Sequence, residues 1–344
     1  MVVAGVMALV ASGNDDVDFF ISCQFASGVV GWKCRGCIDI IALIIVKNSL
    51  YSFFRYVFFI SLGVKSKQQM SYTMNLRGRL FELDRPVVMG ILNVTDDSFY
   101  EGARLASPEE LVRRAGEILD EGAAILDVGA CSTRPGSVPV TEEVELARLH
   151  AALDALDVAF PDAVVSVDTF RGSVARECVC RHNVSIINDV SGFEWASTMF
   201  DAVAELRVPY VLTHSEGFAG TAPEYDNFLP QVLKKLAEKL WSLRQAGVAD
   251  VIVDPGFGFG KSLEQNYEML ASLREFELLD APLLVGLSRK SMITKLLGVD
   301  AAESLAATTA LNLMALNNGA DILRVHDVKE AVQAVELAGA LRKY

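Results

Sequence analysis

From Arg85 onward the chain repeats one unit: a short apolar run rich in β-branched residues, a polar turn, then an amphipathic stretch. The runs are Val87–Val94, Ala124–Gly129, Val164–Asp168, Ser185–Val190, Pro209–His214, Val251–Gly256, Pro282–Ser288 and Ile322–His326. Continuous apolar runs of this length fit parallel strands buried on both faces. Between them lie helical patterns, among them Pro108–Glu121, Glu142–Phe160, Asp226–Ala246 and Glu303–Asn317. Ser107-Pro108-Glu109-Glu110 supplies an N-cap, a first-turn proline and early acids, and Gly122, Gly247 and Gly319 sit where helix ends need a left-handed residue. Strands alternating with helices require right-handed βαβ units. Eight of them within residues 74–344 predict an α/β protein of the (β/α)8 TIM-barrel type, a single domain, with an open doubly wound sheet as the lesser alternative.

The 73 residues before that rhythm obey different rules. The whole chain has 344 residues, 31 Lys+Arg and 44 Asp+Glu, for a net charge of −13. Yet residues 1–73 contain no Glu and only Asp15, Asp16, Asp18 and Asp39 among the acids. The stretch from Cys37 to Val64 is strongly apolar, but Asp39, Lys47 and Arg55 interrupt it. No charge-free run approaches the roughly 18–20 residues of a spanning helix, and no positive charge precedes the first apolar run as in a signal peptide. A membrane anchor and an organelle leader are the weaker readings. The expected organisation is an atypical apolar extension over 1–73, outside the fold and best explained by a start near Met70 or Met74, followed by the barrel over 74–344.

Composition excludes several classes. A chain that is 51% hydrophobic is not disordered. An acidic balance leaves no cationic surplus for nucleic acid. Cys131, Cys178 and Cys180 have neither disulfide-framework nor zinc spacing, which fits a reducing, cytoplasmic compartment.

In such a barrel the chemistry sits at the C-terminal strand ends. There the runs deliver Asn93, Asp127, Asp168, Asn188-Asp189, His214, Asp254, Ser288-Arg289-Lys290-Ser291 and Arg324-Val325-His326-Asp327. One such residue is ordinarily a helix cap; eight on one rim read as a binding site for a ligand with cationic or amide-like and anionic parts. His150 and His182 read as surface or packing residues, His214 and His326 as site candidates, and no pair has metal-site spacing. Pro255-Gly256-Phe257-Gly258-Phe259-Gly260-Lys261-Ser262 fails both nucleotide-loop fingerprints. Its glycines instead let the backbone approach a flat ligand, with Phe257 or Phe259 packing on it.

Seven segments in order, MGILNVTDDSF (89–99), DVGACSTRPG (127–136), SVDT (166–169), IINDVSG (186–192), DPGFGFGK (254–261), LLVGLSRKSMI (283–293) and RVHDV (324–328), resemble the dihydropteroate synthases of the pterin-binding barrel superfamily. Residues 1–73 match nothing in that family. The resemblance implies condensation of 6-hydroxymethyl-7,8-dihydropterin diphosphate with p-aminobenzoate to give 7,8-dihydropteroate and diphosphate. It further implies a dissociative displacement assisted by Mg2+, and a homodimer. It places pterin binding on Asp168, Asn188, Asp254, Lys290 and Asp127, and diphosphate on Asn93, Thr133, Arg324 and His326. Asn93 would also meet the metal. Thr133, Arg134, Pro135, Phe259, Lys290 and Ser291 would wall the aminobenzoate site, with 132–136 as a closing loop, and Asp168, Lys290 and Asn93 would carry the catalysis.

Two positions depart from the family pattern. Asp96 replaces the proline of N-V-T-P-D-S-F, which frees a φ angle, and a proline there is expected to leave activity equal or better. Thr213 replaces a methionine before His214, so weaker pterin packing is expected. The rival readings are a pterin-dependent methyltransferase, which needs no diphosphate site, and a non-catalytic pterin-binding paralogue. Arg324, His326 and Lys290 argue against both.

Overall fold

A computed structural model describes residues 71–94, 107–132, 137–215 and 227–342 in full, and the backbone of 5–11, 17–25 and 28–34. The chain divides into compact units at Met1–Gln68 and Gln69–Tyr344. In the first, Gly5–Ala11 (β1), Val17–Phe25 (β2) and Gly28–Cys34 (β3) form an antiparallel sheet. The apolar stretch over 40–64 lies outside the described residues, and no helix among those described is long and apolar enough to cross a membrane.

The second unit opens with an antiparallel hairpin, Tyr72–Leu76 (β4) and Arg79–Leu83 (β5). Its first strand begins two residues before the boundary expected at 73/74. Met74, Leu76 and Leu83 are buried against Met89, Ile125, Ile186, Val211, Ile252, Leu284 and Ile322. The hairpin therefore covers an apolar layer to which nearly every barrel strand contributes.

All eight expected strands form: Val87–Asn93 (β6), Ile125–Gly129 (β7), Val165–Asp168 (β8), Val184–Asp189 (β9), Tyr210–Thr213 (β10), Val251–Asp254 (β11), Leu284–Val285 (β12) and Ile322–Val325 (β13). They pair in parallel in the order β11-β10-β9-β8-β7-β6-β13-β12. A parallel bridge from Val253 to Leu283 joins the two ends, with Val253 N donating to Pro282 O at 2.8 Å. An open sheet has no such bridge, so the lesser alternative is excluded.

The helices follow the expected caps. Pro108–Asp120 (α1) is capped by Ser107, whose hydroxyl accepts from Glu110 N. Next come Glu142–Ala159 (α2), Gly172–Arg181 (α3), Thr198–Leu206 (α4), Phe228–Gln245 (α5), Leu263–Ala271 (α6), Ser291–Leu297 (α7), Leu305–Asn317 (α8) and Val328–Leu341 (α9). The pattern expected over Glu303–Asn317 divides, with a 3-10 turn at Ala302–Ser304 before α8. Gly122, Gly247 and Gly319 all have positive φ.

Candidate active site

Side chains two apart on a strand face the same way. Ile125, Ile186, Val211, Ile252, Leu284 and Ile322 belong to the apolar layer above the hairpin. Two residues further on, the same inward positions hold Asp127, Asn188, Thr213, Asp254, Gly286 and Arg324. The barrel interior thus changes from hydrocarbon to polar within one strand repeat, and Asp168 and Asn93 end β8 and β6 beside it.

The polar layer is wired through Arg324. Its Nε donates to Asp127 Oδ2 and its Nη2 to Asp168 Oδ2, each at 2.6 Å. Asn188 Nδ2 also donates to Asp127 Oδ2, at 3.0 Å. Asp127 has no exposed surface, and its Oδ1 has no hydrogen-bond partner among the described residues. Asp127 thus joins Asn188 and Arg324 through one oxygen and orients both.

Burial raises the Asp168 pKa to about 7; Arg324 opposes the rise and the Asp127 charge adds to it. Burial likewise raises Asp254, against the pull of Lys290, and its Oδ1 accepts from Gly256 N at 2.7 Å. Burial lowers Lys290 to about 8, with Asp254 opposing. The carboxylates around Arg324 raise its pKa and keep it charged. Such mutual perturbation on one rim is typical of functional sites.

Lys290 Nζ donates to Phe257 O and stands 4.9 Å over the Phe259 ring, so Phe259 is the aromatic at the site. Phe257 is fully buried in the core. Gly256, at φ +71°, passes so close to β10 that a Cβ would meet His214 O at 2.0 Å. Lys261 Nζ ties the same loop down by donating to His214 O, Gly256 O and Phe259 O. Ser291 is exposed at the start of α7. His326 is half-buried, with Nδ1 3.0 Å from Ser288 Oγ. Thr213 is fully buried, its methyl group beneath Gly256, so its replacement of methionine does not present a polar surface to a ligand.

Asn93 is half-buried at the end of β6. A Cβ on Gly129 would lie 3.4 Å from Asn93 Oδ1 and 3.4 Å from Asp168 Cβ. The missing side chain leaves a recess flanked by amide and carboxylate oxygens, donors that suit a hard cation. Thr133, Arg134 and Pro135, like Asp96, lie outside the described residues. The flanks of 133–136 are joined, Ser137 Oγ donating to Ser132 O at 2.8 Å.

His150 and His182 are structural. His182 is buried, with Nδ1 3.0 Å from Asp157 and Nε2 2.8 Å from His150. Sequence reasoning missed Glu145, which is fully buried and paired with Arg171 and the Thr169 hydroxyl next to Asp168. The signal was available, because Glu145, Leu149, Ala152, Leu153 and Leu156 form one helical stripe.

A family model described as pterin binding enzyme matches residues 89–326, which reaches into every strand of the barrel. The dihydropteroate synthase of Escherichia coli (strain K12) is 42% identical over 269 residues, 77% of this chain and 94% of that protein. The chain belongs to the dihydropteroate synthase family. Solved structures of the family agree. The Yersinia pestis dihydropteroate synthase in a sulfonamide drug complex superposes with a TM-score of 0.74 at 37% identity, covering 80% of this chain and 100% of that one. The Xanthomonas albilineans dihydropteroate synthase with 7,8-dihydropteroate gives 0.70 at 38%, covering 79% and 100%. The same enzyme with 4-aminobenzoic acid gives 0.73 at 39%, covering 80% and 100%.

Proposed function

We propose that this chain is a working dihydropteroate synthase, acting in folate biosynthesis on 6-hydroxymethyl-7,8-dihydropterin diphosphate and p-aminobenzoate. The observation that carries this reading is the Asp127–Arg324–Asp168 network with Asn188, Asp254 and Lys290 on the same rim. Asp168 and Asp254 accept the N–H groups of the pterin's amino-pyrimidine edge, while Asn188 and Lys290 donate to its acceptors. Asp127 holds Asn188 and Arg324 in register at the floor of the pterin site.

In the reaction the bond from the pterin methylene carbon to the diphosphate oxygen breaks with its electron pair leaving on diphosphate. The arylamine nitrogen then bonds to that carbon and gives up a proton. Asp168 faces the positive charge that develops on the pterin. Two unit charges about 4 Å apart at an effective dielectric near 20 interact by roughly 4 kcal/mol, about three decades of rate if realised only in the transition state. Arg324, whose Nη1 makes no hydrogen bond to a described residue, and His326 receive the diphosphate, joined by Thr133. Phe259, Lys290 and Ser291, with Arg134 and Pro135, wall the aminobenzoate and keep water from the cation.

The oxygen donors beside Gly129 suit Mg2+, which Asn93 would hold together with diphosphate oxygens. When bound, it would neutralise charge on the leaving group. The remaining elements of the reading are a cytoplasmic location, a homodimer and a dispensable apolar extension. An apolar groove of about 570 Å³ between α8 and α9, lined by Leu305, Ala306, Leu313, Ala334 and Leu337, offers the dimer a surface away from the barrel mouth.

The test is dihydropteroate formation by the purified chain with both substrates, with and without Mg2+. A version beginning at Met70 and a Lys290→Ala variant run beside it. Product from the first two and little from the third is the expected result. Tight pterin binding without product would give the site to a pterin-dependent methyltransferase or a non-catalytic paralogue.

A further inference from the structure

We propose that Arg289 and Asp327 form a positioning pair that sets the pose of Lys290 and thereby the enzyme's hold on p-aminobenzoate. The proposal rests on the reading of the site given above. Arg289 stands immediately before Lys290 and adopts φ +55°, a left-handed conformation that glycine accepts and arginine does not favour. Its side chain accounts for its presence there. Nε and Nη2 fork onto the two carboxylate oxygens of Asp327 at 2.9 and 2.6 Å, and Nη1 donates to Ala301 O at 3.1 Å. The backbone N–H of Arg289 donates to Thr308 Oγ1 at 3.2 Å. Both charged side chains are largely out of solvent, at 13% and 16% exposure.

Asp327 is unusual in turn. It occupies the N-cap position of α9, where an aspartate ordinarily accepts from the first helical amides. Here its carboxylate makes no capping bond and is committed to Arg289 instead. One residue away on each segment, Ser288 Oγ meets His326 Nδ1 at 3.0 Å and accepts from His326 N at 3.2 Å. The β12–α7 loop is thus pinned at two successive positions to the β13–α9 loop. The residue that follows the pins is Lys290, whose ammonium reaches Phe257 O and lies over Phe259.

Core packing does not require this arrangement. α7 is anchored by buried Met292 and Ile293, and α9 by buried Val328, Ala331 and Ala334. A glycine at 289 would let the chain make the same turn without strain. A strained residue held by a committed ion pair beside the site is best explained by what it aims.

Glycine separates the two explanations. In Arg289→Gly the turn is relaxed but the fork is gone, so kcat/KM for p-aminobenzoate should fall about tenfold or more. The dissociation constant of the pterin diphosphate, measured by calorimetry, should change less, because Lys290 is only one of its contacts and Asp168, Asn188 and Asp254 are untouched. Added methylguanidinium should restore part of the loss by filling the fork between Asp327 and Ala301 O. Arg289→Lys keeps the charge without the planar fork and should remain impaired. Wild-type kinetics in Arg289→Gly would overturn the proposal. So would a loss that methylguanidinium does not relieve and that falls equally on both substrates. An inactive wild type would overturn the functional reading, and the proposal with it.

Discussion

Replacing Asp127 by asparagine should move the acid limb of the pH–rate profile while leaving the shape of the site intact. Asp127 and Asp168 are gripped by one guanidinium, Nε on the first and Nη2 on the second. One guanidinium holds both carboxylates, and two like charges about 5 Å apart at an effective dielectric near 20 repel by roughly 3 kcal/mol, or about 2 pH units. That repulsion adds to burial in raising Asp168 to about 7. Asparagine removes it and leaves Arg324 with one anionic partner fewer, so Arg324 favours the ionised Asp168 more strongly. Both effects lower the Asp168 pKa. If Asp168 must be ionised to hold the pterin and face its cation, kcat/KM for the pterin diphosphate rises through about pH 7 in the wild type. In Asp127→Asn that rise should lie about 1–2 units lower. The maximum rate should also drop, because Asn188 and Arg324 lose an orienting acceptor, but the position of the limb does not depend on its height. The assay is dihydropteroate formation at subsaturating pterin across a pH series. An unmoved limb, or one displaced upward, would refute the assignment of that ionisation to Asp168.

Three further outcomes follow from the same contacts. Asp168→Asn should abolish activity yet stabilise the fold at high pH. The folded pKa of about 7 lies above the ordinary aspartate value, so the native state loses stability as pH rises from about 4 through 7; thermal unfolding should show the variant's advantage at pH 8 and none near pH 4. Arg171→Met strands the fully buried Glu145 with only the Thr169 hydroxyl, and urea unfolding should register a loss of about 3 kcal/mol. Gly256→Ala combines positive φ with a 2.0 Å contact to His214 O, and a destabilisation under about 2 kcal/mol by thermal unfolding would contradict the described approach of that loop to β10.

Much of this was legible in the sequence, for identifiable reasons. The eight strands could be read because each is buried on both faces and is therefore apolar throughout. The rim could be read because Asp127 and Asp254 interrupt runs in which solvent cannot account for them. The helix ends could be read where capping is local, as at Ser107 and Gly122. Roles set by distant partners could not. Asp127 orients Asn188 and Arg324 together because Arg324, nearly 200 residues away, meets the same oxygen as Asn188. Arg289 and Asp327 stood in segments already singled out, but only the fold brings them together. Phe257 and Phe259 look equivalent in a glycine-rich loop, and the turn between them sends one to the core and the other to Lys290.

The joint between β11 and β12 has a mechanical consequence. Every other neighbouring pair in the barrel shares a ladder, whereas here a single bridge at Val253 and Leu283 closes the ring. Asp254 follows Val253 directly, and Lys290 lies beyond the short β12 on the other side. Between them the site spans the gap, through the lysine's hold on Phe257 O. A pterin that engages both Asp254 and Lys290 would act as a clasp on a nearly closed hoop, so that gripping the substrate and stiffening the barrel become one event.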